Sequence, residues 1–506
     1  MTTAADAAAP AAAPAARGYR SYVLGALLLV YTFNFIDRTL VGVLNEPIKI
    51  AFNATDAMMG LLGGPAFAVL YTFLGLPIGR LAERFNRVFI VAAALAIWSI
   101  MTVLCGMAGQ LNTTLHIAIY LAILAPVALV FVFHRMWVST ALVLFAVGAS
   151  AFMPSYFASI GFAGFGLLLM TRIGVGIGEA GCSPPSHSLI SDYFPPERRA
   201  SALSVYALGI PIGSMLSAVG GGWLAQNVDW RAAFLWLGLP GVALALVLVA
   251  TVREPPRGGG HAEAPDFGAA LRTLGGKWTF WNVALGGAVT SFVGYGVGQF
   301  LNSFFMRTHG LTPLEASLYF GIVGGVAAAI GTFLGGFLSD RFAPRSPTSY
   351  AWVPGVGLII AAPLYVGGLM SPSLPVLLAA LVPAAILHYF YLGPMFGVTQ
   401  GLVEPRMRAT ASALLLFIVN LIGYALGPPF VGYLSDALAA STYADLTAAA
   451  APYAEACRDM AAGGEACGAA RAQGLQWAMI IGVCGYAWGG LHFLLAGRTM
   501  RRDMVS

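Results

Sequence analysis

A chain of 506 residues in which 58% are hydrophobic and only 9% charged, with a mean hydropathy of +0.80, lies far outside the balance of a soluble globular protein and reads as a polytopic membrane protein. The formal net charge of +5 does not point to nucleic acid, because the basic residues sit in short loops between apolar stretches, where they set orientation. Five cysteines are too few for a disulfide framework.

Apolar stretches of roughly 17–25 residues, the length a helix needs to cross a ~30 Å hydrocarbon core, recur along the chain. They fall near 21–44, 57–79, 88–109, 114–133, 137–153, 156–181, 200–225, 231–251, 278–305, 315–339, 350–370, 374–400, 409–435 and 475–497, fourteen in all. Residues 1–20 are rich in Ala and Pro and end in Arg17 and Arg20; they read as a disordered cytoplasmic tail, because the apolar run that follows is too long for a signal peptide. Segment 252–277, with Arg253-Glu-Pro-Pro-Arg257, a glycine triplet and Lys277, reads as a cytoplasmic linker between an N-terminal bundle (21–251) and a C-terminal bundle (278–497). A second cytoplasmic tail is expected over 498–506. With the N-terminus inside, 19 of the 26 Lys and Arg fall in inside segments, which supports an even number of spans and both termini in the cytoplasm.

Within the first span the run Asn34-Phe-Ile-Asp37-Arg38 breaks the apolar pattern, and in the sixth stretch Arg172-Ile-Gly-Val-Gly-Ile-Gly-Glu179 does the same. A charge at the centre of a membrane helix costs about 2.5–3.5 kcal/mol on the lenient insertion scale, so Asp37, Arg38, Arg172 and Glu179 together cost roughly 10–14 kcal/mol before pairing. Seven residues at about 100° each bring Arg172 and Glu179 back to one helix face two turns apart. Asp37 and Arg38, being adjacent, do not pair with each other, and at least one of them is expected to reach Arg172 or Glu179.

Two loop motifs repeat. Gly79-Arg-Leu-Ala-Glu83-Arg84-Phe-Asn-Arg87 is echoed by Gly336-Phe-Leu-Ser-Asp340-Arg341-Phe-Ala-Pro-Arg345 at an offset of 257, and Pro196-Glu-Arg-Arg199-Ala by Pro405-Arg-Met-Arg408-Ala at an offset of 209. The difference of 48 residues is about two spans and a turn, so the first half carries an inserted helical hairpin at about 114–153, turning at His134-Arg135. The run Gly176-Ile-Gly178-Glu-Ala-Gly181 also fits a dinucleotide fingerprint, but no strand precedes it. His187-Ser-Leu-Ile-Ser-Asp192 fits the pattern of membrane acyltransferases, yet it sits at a helix end where such residues are ordinary. The chain is therefore not read as an enzyme.

The loops of the form Gly-x-x-x-(Asp/Glu)-Arg, with a further Arg three or four residues on, resemble the cytoplasmic signature of the major facilitator superfamily, although Glu83 stands where Asp is usual. Asn34 to Arg38, Gly178-Glu179-Ala180, Ile190-Ser-Asp192-Tyr-Phe194, Arg199 to Ser204 and Ile210-Pro211-Ile-Gly213 together resemble its spinster branch, proton-linked transporters of lysophospholipids and sphingoid phosphates. The resemblance implies an all-α membrane fold of two six-helix bundles with pseudo-two-fold symmetry, here with the hairpin added, rocking about a midplane cavity. It implies a gate at Gly79, Glu83, Arg84, Arg87, Asp340 and Arg341, and it matches Asp37, Arg38, Arg172 and Glu179 to the family's intramembrane cluster.

Proton coupling also follows from the residues themselves. A low-dielectric cavity favours the neutral form of a carboxylate and a neighbouring Arg favours its charged form, so a small change of geometry moves a proton. Asp37 is expected to carry that proton, with Glu179 tuning Arg172; the static alternative is an ion-pair staple between helices. The second half has no carboxylate deep in any span, since Asp340, Glu404 and Asp436 lie near ends. Its candidate cavity groups are Phe292, Tyr295, Gln299 and Asn302, then His388, Asn420 and Tyr424, joined from the first half by Tyr31 and Asn34. Helix packing is the competing role for each, and His388 is equally well read as a hydrogen-bonded interior histidine. The expected substrate is a small amphiphile; a drug exporter or organic-anion carrier, and a passive pore, are the rivals.

No metal or cofactor is expected beyond the coupling proton, and the partners are the bilayer and the substrate. The protein is expected to work as a monomer in a bacterial inner membrane. Cys457 and Cys467 share the polar loop 437–473, and a bridge between them is expected if that loop faces an oxidising compartment.

Overall fold

A computed structural model describes residues 17–134, 136–255, 267–404, 407–447, 452–457 and 464–505, and among them all regular structure is helical. The first half consists of α1 (Arg17–Val43), α2 (Pro65–Arg84, preceded by a helix Asp56–Gly63), α3 (Arg87–Gly106), α4 (Thr113–Phe133), α5 (Trp137–Ser159), α6 (Ala163–Tyr193), α7 (Ser201–Asn227) and α8 (Trp230–Thr251). The second consists of α9 (Trp278–His309), α10 (Pro313–Phe342), α11 (Ser349–Leu369), α12 (Leu374–Gly401), α13 (Thr410–Thr447) and α14 (Glu465–Asp503). Among the described residues, thirteen helices are long and apolar enough to cross a membrane. The fourteenth stretch, α9, folds as one 32-residue helix but is diluted by Thr290, Ser291, Tyr295, Gln299, Asn302 and five glycines between 286 and 298. Polar and small residues on a spanning helix belong on faces turned to other helices, and α9 packs on α14 and α13.

Several boundaries differ from the sequence reading for identifiable reasons. The hairpin runs to Ser159 rather than 153, because the chain turns at Gly161, whose φ of +89° is left-handed backbone that glycine adopts without strain. Residues 17–20 are helical; Tyr19 and Tyr22 anchor the start of α1 by hydrogen bonds to Thr251. Part of the linker is a helix, Phe267–Gly275, that buries Ala270 and Leu274, while 256–266 lie outside the described residues. The loop 437–473 is largely consumed by its flanking helices, α13 through an alanine-rich run to Thr447 and α14 from Glu465. α14 also continues through the expected tail to Asp503, whose carboxylate accepts from the backbone N–H and hydroxyl of Thr279. The expected tail up to residue 16, Arg135 of the hairpin turn, and Pro405 and Arg406 of the second repeat motif lie outside the described residues.

Each half has a π-type bulge in an equivalent helix, Ser217–Gly221 in α7 and Asn420–Tyr424 in α13, and α10 has another at Ile322–Val326. Such bulges rotate the side chains that follow and recur at functional positions. The one in α13 turns Tyr424 into the contact described next.

Candidate transport site

Two opposite-charge pairs join α1 to α6. Arg172 Nη1 lies 2.5 Å from Asp37 Oδ2, and Arg38 Nε lies 2.7 Å from Glu179 Oε2. Neighbours on α1 thus meet residues two turns apart on α6, because the short Asp37 pairs close by while the long Arg38 spans the extra distance. Asp37 accepts a further hydrogen bond from Thr102 of α3 at 2.5 Å, and Glu179 one from Asn34 at 2.8 Å. The Glu179 side chain is 0% exposed and that of Arg172 1%, so each charge depends on its partner for solvation. Glycines on α6 allow this proximity: a Cβ at Gly176 would stand 2.5 Å from the backbone oxygen of Phe67, and one at Gly178 2.7 Å from the backbone nitrogen of Trp98.

Glu179 holds Arg38 directly and Arg172 belongs to Asp37, so Glu179 acts on Arg172 through space rather than by contact. Both pairs retain spare hydrogen-bonding capacity, since Glu179 Oε1, Arg38 Nη2, Arg172 Nη2 and Asn34 Oδ1 are buried without a hydrogen bond inside the protein. Aromatic rings supply part of what the guanidinium groups lack. Arg38 sits 4.3 Å from the Tyr71 ring and 5.2 Å from those of Phe35 and Phe67, and Arg172 is 4.9 Å from Phe67.

Phe67 carries the cluster to the other half. Its ring lies 5.3 Å from that of Tyr424, which in turn stacks on Tyr295 at 4.1 Å with 6° between planes. Tyr295 keeps 38% of its surface exposed, whereas Tyr424 is buried. Tyr31 stacks on Tyr206 at 4.3 Å, within the first half. Phe292 packs on Phe430, and Asn420 is half-buried at the start of the α13 bulge. A narrow crevice between α1, α3 and α8, lined by Phe33, Trp98, Ser99 and Leu237, also reaches Asp37.

Other expected cavity residues have different surroundings. His388 is buried in a nest of Tyr365, Tyr389, Tyr391 and Tyr486, with the Tyr486 hydroxyl 3.3 Å from Nδ1. Gln299 and Asn302 sit where the halves touch. Gln299 accepts from Asn45 through its backbone oxygen at 2.8 Å, and Asn302 donates to the backbone oxygen of Val43 at 2.6 Å. Their place on α9, one and two turns beyond Tyr295, brings them to this contact between the halves.

The repeated loop motifs are at the opposite end. Glu83, Arg84, Asp340 and Arg341 are exposed there, and Gly79 faces Pro184. Arg87 is the buried member: it pairs with Asp192 at 2.5 Å and Glu254 at 2.6 Å, so the carboxylates that hold it come from α6 and the chain after α8, rather than from Glu83. Asp340 accepts from the Tyr350 hydroxyl at 2.5 Å. Cys457 and Cys467 are joined by a disulfide, with Cα atoms 5.6 Å apart. Sequence reasoning missed Thr102, Phe67 and Tyr71, for which an apolar helix gives no periodic signal.

This architecture matches known proteins along nearly its whole length. The family model of the Major Facilitator Superfamily matches residues 110–428. An MFS-type efflux pump of Mycolicibacterium smegmatis is 31% identical over 424 residues, covering 82% of this chain and 84% of that protein. Protein spinster homolog 1 of Homo sapiens is 26% identical over 451 residues, 83% and 74% of the two chains. The crystal structure of a bacterial homologue of the human lysosomal transporter spinster, inward-facing and unoccupied, superposes with a TM-score of 0.79 at 37% identity, covering 97% and 99%. The chain belongs to the Major Facilitator Superfamily, in its spinster-like branch. It is an integral membrane transporter, and the fourteen helices are its two bundles with the hairpin α4–α5 added to the first.

Proposed function

We propose that this transporter works by alternating access and couples the passage of an amphiphilic, lipid-like anion to protons. The observation that carries the reading is the pair of buried carboxylate–guanidinium contacts, Asp37–Arg172 and Glu179–Arg38, beside an aromatic second half that offers no deep acid among the described residues. Protonating either carboxylate releases its arginine, and an anionic headgroup reaching that arginine releases the carboxylate. Carboxylate and anionic headgroup therefore exchange for one another on the same guanidinium, so that a proton and the anion are taken up together. A ~180 mV potential supplies about 4 kcal/mol for each net positive charge that enters with the substrate. Tyr295, Tyr424 and Phe67 offer the apolar, polarizable surface that an acyl or sphingoid chain requires.

In this reading the loop-motif end and both termini face the cytoplasm of a bacterial cell, the disulfide faces outward, and the inward side is open. The protein acts as a monomer in the inner membrane. Export of amphiphilic drugs is the second reading, favoured by the 31% identical relative named as an efflux pump. The test is a liposome assay over lysolipids, sphingoid phosphates, drugs and sugar acids, with and without a pH gradient. The account expects pH-gradient-dependent accumulation of anionic amphiphiles; equal transport of all of them without a gradient, saturation absent, contradicts it.

A further inference from the structure

The outward face of the second half carries polar groups that the transport site does not use. α9 runs from Trp278 at the loop-motif end to the opposite end, closed by the pairing of Arg307 with Glu46 and Asp56 of the first half. α14 lies beside it in the reverse direction, tied by a 2.7 Å hydrogen bond between the Thr279 and Thr499 hydroxyls. Gly286 and Gly489 bring the two backbones together, since a Cβ on either would stand 3.1 or 3.2 Å from the backbone oxygen of the other.

α14 packs on α9, α11 and α13, so its remaining face looks out of the bundle. That face presents Trp488, Leu491, Leu495, Arg498 and Arg502, all exposed and spaced by three and four residues, the step that returns to one side of a helix. The stripe changes from apolar to basic between Leu495 and Arg498. On α9 the matching exposed residues are Trp278, Trp281 and Leu285. A helix surface among acyl chains is apolar, whereas Trp and Arg collect where chains give way to headgroups, so the membrane boundary at this end runs through Trp278 and Arg498.

Two polar side chains lie inside that boundary. Asn282, one turn and about 6 Å deeper along α9 than Trp278, accepts through Oδ1 from His492 Nδ1 of α14 at 3.0 Å. Its amide nitrogen donates to the Trp278 carbonyl at 3.0 Å and keeps a second hydrogen. Both residues are half-buried in the seam between the helices, where a donor left bare in hydrocarbon is costly. The interfacial layer is about 5–8 Å thick on each side of the hydrocarbon core, which sets Asn282 at the level of lipid ester carbonyls. Above the seam the charge is one-sided. Arg498, Arg501 and Arg502 are exposed, and Lys277 is held beside them by the backbone oxygens of Leu402 and Asp503, both at 2.6 Å. The acid among them, Asp503, is buried and turned to Thr279, with one oxygen accepting from Arg502 Nε at 3.0 Å. The Arg502 side chain is still 70% exposed.

We propose that an anionic phospholipid of the bilayer docks in the seam between α9 and α14, with its phosphate on Arg498 and Arg502 and an ester carbonyl on the Asn282 amide. Its chains lie along Leu285, Leu491 and Leu495. Charge complementarity and the depth of Asn282 select this occupant: a free phosphate offers nothing to the seam below the arginines, and a second copy of the chain would bring like charges against them. His492 positions the Asn282 amide rather than touching the lipid. The site is separate from the transport site and does not depend on which substrate or ion the protein carries.

The full-length protein in detergent is titrated with phosphatidylglycerol, and native mass spectrometry reads the affinity of the bound lipid. Arg498→Gln combined with Arg502→Gln is expected to weaken binding about 25-fold, at roughly fivefold for each cation beside an anionic group. Arg198→Gln combined with Arg253→Gln removes the same charge from exposed positions of the first half at the same end, and is expected to change binding less than about twofold. The unsubstituted protein is expected to prefer ester-linked over ether-linked phosphatidylglycerol by roughly 2–10-fold, and Asn282→Leu to abolish that preference, because only the ester carries the carbonyl. Dissolved glycerol phosphate is expected not to displace the lipid. Equal losses in the two arginine pairs, displacement by glycerol phosphate, a dimer that excludes the lipid, or no ester preference would each overturn the site. Loss of binding in Arg38→Gln would place the lipid at the transport site and overturn it as well, whereas failure of proton-driven transport leaves this measurement untouched.

Discussion

The two halves carry the same loop motif and equivalent helix bulges, yet they solve the burial of polar groups differently. In the first, the charges on α1 and α6 pair with each other, so they travel together when that half moves as a body. In the second, the polar groups at comparable depth are hydroxyls and one imidazole, held among rings. The contacts that join the halves near the centre are aromatic, Phe67 on Tyr424, and at the closed end they are ionic. Charge is thus paired within the first bundle, while the facing wall of the second is aromatic.

The sharpest way to break that contrast is to remove a charge from the first half. Arg172→Leu leaves Asp37 buried with Thr102 as its remaining donor, and the loss expected for an orphaned buried charge is about 3–5 kcal/mol. A thermal-unfolding shift in detergent of several degrees checks it, and an unchanged midpoint would mean that the pair is not buried as described. A smaller effect is expected from the second half. Tyr424→Ala removes a stacked ring and the bridge to Phe67, which is worth about 0.5–1.5 kcal/mol, or roughly 2–10-fold in apparent substrate affinity. The ratio of protons to substrate should stay constant in this variant, and a changed ratio would erase the division of labour between the halves.

Much of this arrangement is legible in the sequence, and what is not has physical causes. Hydropathy finds the spans because a helix crossing lipid has no alternative to an apolar surface. The offset between repeated motifs finds the hairpin, since inserting helices in pairs leaves every other loop on its side. The four intramembrane charges stand out because their burial is costly. Which acid meets which arginine is not legible, because adjacent residues on α1 choose partners by side-chain length and helix depth. The ionic contact between the halves is hidden for another reason: Lys49, Asp56, Arg307 and Asp436 lie at helix ends, where charge is commonplace, and only the pairing across 251 or 380 residues of chain gives them meaning. Glu83 and Asp340 match the loop motif but are exposed, while Arg87 found its carboxylates elsewhere.

The central claim is that the first half does the coupling, and it is tested most directly by comparing Asp37→Asn and Glu179→Gln with the unsubstituted protein in liposomes. Each variant removes one titrating group while keeping the shape of the side chain. The account predicts that substrate accumulation driven by an imposed pH gradient is lost in both, while gradient-free exchange of substrate across the membrane persists. Full gradient-driven accumulation in both variants would contradict it and leave the two ion pairs as a static staple between α1 and α6.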